Sequence, residues 1–452
     1  MNVVRSSFSK KIGLMMAAST AAIGLGNLWR FPYEVSHNGG GIFVVIYLIL
    51  AFTFGISLLM METAFGRKTG KTSISAFRGI SKKYRFLGYL MAVGPIMQLC
   101  YYVVIGGWVL KWFFESVIGN LSTLSAGTFW DEYITGMAGG FAQPIVWFMV
   151  FLLICLICIL LGVNKGIERT SQILMPMLFI LMVVVIVFEL FTVDGIVDGI
   201  AFYLSPNTDD LSAGTFLAAS GQVFFSLSIG MGILITYGSY TKKDVNLERT
   251  ASSVCLMDSS AALLAGLMIV PVAFLFGFPD SEGMGLMFTA LPQVFSSMPG
   301  GAFVAPVFYL LTAFAAVTSA IALAEAGAST ISDSVKLDRK RSTMIVGAIV
   351  IAAGTVCTLG FAGGPLAIDT PFTDTMGWVG LLDGMVCYII GPVNAIIMCL
   401  FFGYVVKTAY LEEEIEISSR FRLKKAFRVM IRYLAPVLLI TILVTGLADL
   451  LT

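Results

Sequence analysis

The sequence predicts an all-α polytopic membrane protein, and three observations carry that prediction. Apolar residues make up 58% of the 452 and charged residues 12%, with a mean hydropathy of +0.92. Soluble domains sit near an even apolar share. Charge-poor stretches long enough to cross a bilayer, about 20 residues at 1.5 Å rise each, recur eleven times along the chain. Lysine and arginine collect in alternate loops between those stretches, the asymmetry that retained cytoplasmic loops show.

The predicted spans are Ile12 to Val35, Ile42 to Met61, Phe86 to Phe114, Pro144 to Val163, Thr170 to Phe188, Thr215 to Tyr240, Ala251 to Phe278, Gly301 to Ser332, Thr343 to Phe361, Met376 to Val406 and Tyr433 to Ala448. All 28 lysines and arginines except Arg30 and Lys111 fall before the first span or after the second, fourth, sixth, eighth and tenth. This predicts a multi-pass protein of the cell membrane with a cytoplasmic N-terminus and, the count being odd, an external C-terminus. The opposite loops carry acids instead, among them Asp131, Glu132, Asp194 and Asp198. The net charge of +1 hides this asymmetry and by itself says nothing about nucleic acid; no nucleic-acid partner is expected. No cleavable signal pattern precedes the first span. The polar stretch Glu412 to Arg432 reads as a cytoplasmic surface helix. The seven cysteines lie in or beside apolar runs without metal-type spacing, so they read as small buried hydrophobes.

Two spans break their own pattern. The first contains Gly24, Gly26, Asn27 and Arg30, and the sixth contains "SLSIGMG" from Ser226 to Gly232. Glycines alone would also suit close helix packing. Polar groups beside them are costly at membrane depth and mark a site, because a broken helix is tolerated there only where its freed backbone lines a cavity or meets a ligand. Gly-interrupted helices five spans apart point to a secondary transporter built from inverted repeats, with its site at the midplane.

The motifs then become specific. "GLGNLWRFP" followed by "NGGG", and "GQVFFSLSIGMGILITYGSY" in the sixth span, resemble signatures of the neurotransmitter:sodium symporter family. "CYYVV", "KGIER" with a following "MP" and "LFIL", and "TSAIA" are similar to its third, fifth and eighth helices. The resemblance implies a LeuT-type fold with 11 transmembrane helices, as two inverted five-helix repeats over residues 1–190 and 191–408. A linker and one extra helix would follow over 409–452. It implies a sodium-coupled symporter that imports neutral L-amino acids by alternating access, with two sodium ions as the partners of the solute.

By that resemblance one ion takes the carbonyl of Ala22, the side chains of Asn27 and Ser226, and Asp258, where the family often has asparagine. The other takes the carbonyls of Thr20, Ile23 and Ala315 with the hydroxyls of Thr318 and Ser319. Such hydroxyls also bond back to the preceding helical turn in many membrane helices. Family members without a local acid balance the cations with chloride, so Asp258 predicts chloride independence. The substrate carboxylate would meet the amides near Leu25 and Gly26 and the Tyr102 hydroxyl, at a half-helix terminus that favours an anion. The amino group would meet carbonyls at Ala22, Phe225 and Ser226, helped by Ser228. Monoamine carriers of the family place aspartate where Gly24 stands, which argues for amino acids here.

Gln98, Met231, Leu323 and Ser319, with Phe225, would line the side-chain pocket and leave room for large hydrophobic or aromatic groups. Gln98 either reads a polar group of the solute or bonds a neighbouring helix. Arg30 with Asp383 would close one mouth under a Phe225 lid, and Arg5 with Asp333, near Tyr240, the other. Gly166 and Pro176 would permit either unwinding or a plain kink of the fifth helix. His37 reads as a rim residue. A proton-coupled carrier using Asp258 and Glu325 is the rival within the class. A channel lacks its ring or filter sequence, and a single histidine without HExxH or GxSxG leaves little for an enzyme.

Overall fold

A computed structural model describes residues 7–9, 12–136, 140–206, 208, 211–278, 281, 283–361, 364–368 and 376–449. Among them, nine helices are long and apolar enough to cross a membrane. They are Gly41–Thr69, Lys82–Val117, Ala142–Leu160, Val163–Thr192, Leu247–Leu275, Gly301–Val335, Arg339–Leu359, Gly377–Val405 and Lys424–Ala448. The two remaining predicted spans, the first and the sixth, are present but interrupted. Each apolar run therefore became a helix, as required where lipid offers the backbone no hydrogen-bond partner.

Burial sorts these helices into a centre and a rim. The eighth span is 83% buried and the third 72%, whereas the fourth and fifth are 33% buried. The third and eighth pack along each other, and the first packs on the seventh and eighth. Both halves of the sixth pack on the second. Small residues set the closest approaches. A Cβ on Gly66 would stand 1.9 Å from the Ile235 carbonyl oxygen, and one on Gly238 would stand 2.3 Å from that of Thr63. The second span and the C-terminal half of the sixth are thus held backbone to backbone.

Side-chain caps fix where several helices start. Ser212, Asn246 and Asp338 accept from the amides of Thr215, Arg249 and Arg341 at 3.1, 2.9 and 2.7 Å, each satisfying a donor left free at a helix N-terminus. The fifth span opens with a wide π-type turn over Val163–Glu168 and is helical from Arg169 through Pro176 to Thr192. A Cβ on Gly166 would lie 1.8 Å from the Cys158 carbonyl, so this glycine permits tight packing against the end of the fourth span.

The polar stretch Glu412 to Arg432 departs from the predicted single surface helix. A short helix covers Ala409–Glu416, and from Lys424 the chain already belongs to the last span. The last span starts early because its basic first turns have acids to meet: Arg428 Nη2 lies 2.6 Å from Glu412 Oε2, and Lys424 Nζ 2.7 Å from Glu416 Oε1. The short helix is clamped in turn to the end of the second span. Arg67, fully buried, reaches Glu414 Oε1 at 2.7 Å and the Val245 carbonyl at 2.6 Å, and Lys243 joins Glu414 at 2.7 Å.

Candidate functional site

The first span runs Gly13–Ala22, breaks at Ile23 and Gly24, and resumes as Leu25–Leu28 and Arg30–His37. The sixth runs Ala213–Ser226, breaks over 227–232, and resumes as Ile233–Ser239. Within the second break Ser228, Gly230 and Gly232 have φ of 52°, 82° and 66°, left-handed backbone that glycine adopts freely and serine rarely does. The freed groups are not left to lipid. The Gly230 amide donates to Glu62 Oε1 at 2.7 Å, and its carbonyl accepts from Asn394 Nδ2 at 2.9 Å. The Gly24 amide donates to Asn27 Oδ1 at 3.1 Å.

One polar cluster bridges the two breaks. Asn27 Nδ2 lies 3.1 Å from Ser226 Oγ and 2.9 Å from Asp258 Oδ1. The Ser226 hydroxyl stands 2.8 and 2.9 Å from the two Asp258 oxygens, and the Tyr47 hydroxyl donates to Oδ2 at 3.2 Å. Asn27, Ser226 and Asp258 are all buried. Among the described residues Asp258 has no lysine or arginine partner. A buried carboxylate without a cationic partner is disfavoured, and a cation bound beside it would offset that cost. Its oxygens suit a hard ion; presenting Asn27 Oδ1 to that point would require a 180° turn of the carboxamide and the loss of the Gly24 amide's bond to that oxygen.

A second group lies one side-chain layer away. Ser319 Oγ contacts the carbonyls of Thr20, Ala21 and Ile23 at 3.4, 3.4 and 3.3 Å. Thr318 Oγ1 donates back along its own helix to the carbonyls of Phe314 and Ala315 at 3.0 and 3.1 Å. Thr20, Ile23 and Thr318 line a small cavity closed by Leu174, Met175, Leu178 and Phe314. The five residues expected around a second ion are therefore neighbours, with Thr318 in its local back-bonded arrangement.

Between the breaks lies a cavity lined by Ala22, Gly24, Leu25, Gly26, Gln98, Tyr102, Phe225, Ser226, Ser228, Ser319 and Leu323, with Ala21, Asn27 and Ile233. The Tyr102 hydroxyl stands 3.4 Å from the Leu25 amide. A Cβ on Gly24 would lie 2.9 Å from Ser319 Oγ and 3.3 Å from that hydroxyl, so no side chain fits there without displacing them. Met231 lines a smaller adjoining cavity instead, together with Gln98, Phe224, Phe225, Ser228, Ile229 and Cys387.

The gate residues are placed as follows. Arg30 makes its ion pair with Glu34 at 3.2 Å and stacks its guanidinium 5.2 Å from the Phe225 ring centre. No Arg30–Asp383 ion pair forms in this structure; Asp383 accepts from the Cys387 thiol at 3.3 Å. At the other mouth the Tyr240 hydroxyl donates to Glu325 Oε1 at 2.6 Å, and Arg339 grips both Glu325 oxygens at 3.0 and 2.7 Å. Asp333 accepts from the Thr72 amide and hydroxyl, both at 2.9 Å. Arg5 lies outside the described residues. His37 Nδ1 is 3.1 Å from the Tyr33 carbonyl within its own helix.

Sequence reasoning missed Tyr47, Glu62 and Asn394. Asn394 lies within the tenth apolar run and Glu62 directly at the end of the second, so the cost of polar groups in a span was a usable signal. Tyr47 gave none.

The family model for sodium:neurotransmitter symporters matches residues 5–133 and 120–451. The chain belongs to that family. It is a sodium-coupled symporter of the LeuT-type fold and a multi-pass membrane protein, not an enzyme. It is similar to the sodium-dependent transporter YhdH of Bacillus subtilis (strain 168), 33% identical over 441 residues and 96% of each chain. It also resembles the sodium- and chloride-dependent GABA transporter 2 of Mus musculus, 30% identical over 65% of this chain and 56% of that one. The crystal structure of MhsT in complex with L-phenylalanine aligns with a TM-score of 0.85 and 31% identity, covering 98% of this chain and 100% of that one.

Proposed function

We propose that this symporter imports neutral L-amino acids, favouring large hydrophobic or aromatic side chains, and does so without chloride. The observation that carries the reading is the Asn27–Ser226–Asp258 cluster, which joins both helix breaks beside one cavity. A cation held there by Ala22, Asn27, Ser226 and Asp258 would touch the solute carboxylate, and this contact couples ion to solute. The carboxylate is received at the Leu25 and Gly26 end, near the Tyr102 hydroxyl. Ser228 already orients toward the Ala21 carbonyl at 3.3 Å, on the side where an ammonium group would sit. The filled space around Gly24 leaves no place for the extra carboxylate that a bare amine would need. MhsT, similar over nearly the whole chain, is described with a bound amino acid.

Thr20, Ile23, Ala315, Thr318 and Ser319 hold a second sodium ion. Asp258 supplies the negative charge that chloride supplies elsewhere. Residues 1–190 and 191–408 act as the two repeats that rock about the site, with the N-terminus cytoplasmic. Arg30 and Phe225 close the outer mouth, with Asp383 on the facing helix. Tyr240, Asp333 and Arg5 serve the inner one. A proton-coupled cycle through Glu325 is disfavoured by the two-point grip of Arg339 on that carboxylate. The test is uptake of labelled amino acids into proteoliposomes, with sodium, potassium or choline outside and chloride or gluconate as anion. Uptake requires sodium and ignores the anion if the reading holds; uptake of amines or acids in preference to neutral amino acids would overturn it.

A further inference from the structure

We propose that Gln98 reads the far end of the substrate's side chain, so that the site prefers an aromatic amino acid carrying a ring hydroxyl over its unsubstituted or methylated counterpart. This rests on the reading of the cavity as an amino-acid site and names the substrate class more narrowly.

The third span supplies a ruler. Gly94, Gln98 and Tyr102 are spaced by four residues, so they share one helix face at intervals of about 6 Å. Tyr102 marks the carboxylate end, with its hydroxyl at the Leu25 amide. Gly94 marks the opposite end, where a Cβ would stand 3.0 Å from Met231 Sδ. Gln98 lies between them and borders both the main cavity and the smaller one beyond it. Gln98, Phe225 and Ser228 border both cavities, so a side chain extending from the main cavity toward Met231 would run beside Gln98.

The polar inventory at that point is short. Of the groups facing the smaller cavity, the Ser228 hydroxyl is committed to the Ala21 carbonyl at 3.3 Å and the Cys387 thiol to Asp383 at 3.3 Å. Phe224, Phe225, Ile229 and Met231 are apolar. The Gln98 carboxamide is half-buried and bonds no neighbouring helix among the described residues. A carboxamide offers two donors and an acceptor. An unsubstituted ring arriving there strips its water and returns nothing, whereas a phenol both donates and accepts. Sites that hydrogen-bond a substrate hydroxyl reject the analogue lacking it, because the site's own polar group is then left unpaired.

The experiment compares sodium-driven uptake of labelled tyrosine and 4-methylphenylalanine, which match in shape but not in hydrogen bonding, by wild-type protein in proteoliposomes. The expected ratio of kcat/KM is about tenfold in favour of tyrosine. Gln98→Leu and the more flexible Gln98→Met should bring that ratio to about one. A wild-type ratio near one, or a preference unchanged in either folded variant, overturns the proposal while leaving amino-acid transport standing. Sodium-driven uptake of some other solute class, with no aromatic amino acid taken up, would overturn both readings.

Discussion

Replacing Asp258 by asparagine isolates the role of one charge. The amide keeps the shape, and its oxygen at the Oδ2 position keeps an acceptor for the Ser226 and Tyr47 hydroxyls, which stand 2.9 and 3.2 Å from that atom. Unit charges about 4 Å apart attract by about 4 kcal/mol at an effective dielectric of roughly 20. Desolvating both partners offsets part of that. The remaining ~2 kcal/mol corresponds to about a 30-fold rise in the sodium concentration for half-maximal uptake. The assay is initial uptake against sodium, with choline as replacement, in chloride and in gluconate. Wild-type protein should be indifferent to the anion. An unchanged sodium requirement in folded Asp258→Asn protein would refute the ligand assignment, and loss of wild-type uptake in gluconate would refute the counter-charge argument.

Three further substitutions probe other parts of the account. Gly24→Ala puts a Cβ 2.9 Å from Ser319 Oγ and 3.3 Å from the Tyr102 hydroxyl, and should weaken substrate binding by about tenfold or more; thermal stabilisation by added amino acid reads this, and full stabilisation would contradict it. Thr318→Val removes one hydroxyl from the second ion set and should raise the sodium requirement roughly fivefold, whereas an unchanged sodium curve would remove Thr318 from that set. Arg67→Ala strips the buried Glu414, 2% exposed, of one of its two cations and should cost about 2–3 kcal/mol. A clear fall in unfolding temperature in detergent is expected; no fall would show that Lys243 alone suffices.

The spans were legible because a bilayer leaves few choices for an apolar run, and the polar residues inside them gave away the site. Asn27 and Asp258 stood out as groups costly to place in lipid, whereas Ser226 was singled out only through the family resemblance. Helix ends were less legible where charged residues have remote partners. The second span continues past Met61 to Thr69 because Glu62 meets Gly230, 168 residues away, and Arg67 meets Glu414, 347 away. No local window contains those contacts. The last span begins at Lys424 for a similar reason, its bases being answered by Glu412 and Glu416. The Arg30–Glu34 pair, by contrast, sits at i,i+4 and was readable from spacing. Met231 lines the smaller adjoining cavity and not the main one, a distinction set by the left-handed residues flanking it that no helical spacing could show. Tyr47 gave no warning because a tyrosine is at home in an apolar helix.

The central claim is that the two broken helices jointly hold sodium beside the solute. Equilibrium binding of radiolabelled sodium to purified protein, with and without saturating amino acid, measures this most directly. The account predicts two ions per transporter with the amino acid present, and the loss of one in Asn27→Ala and Asp258→Ala proteins that still fold. The same number of bound ions in wild type and in both variants would contradict it.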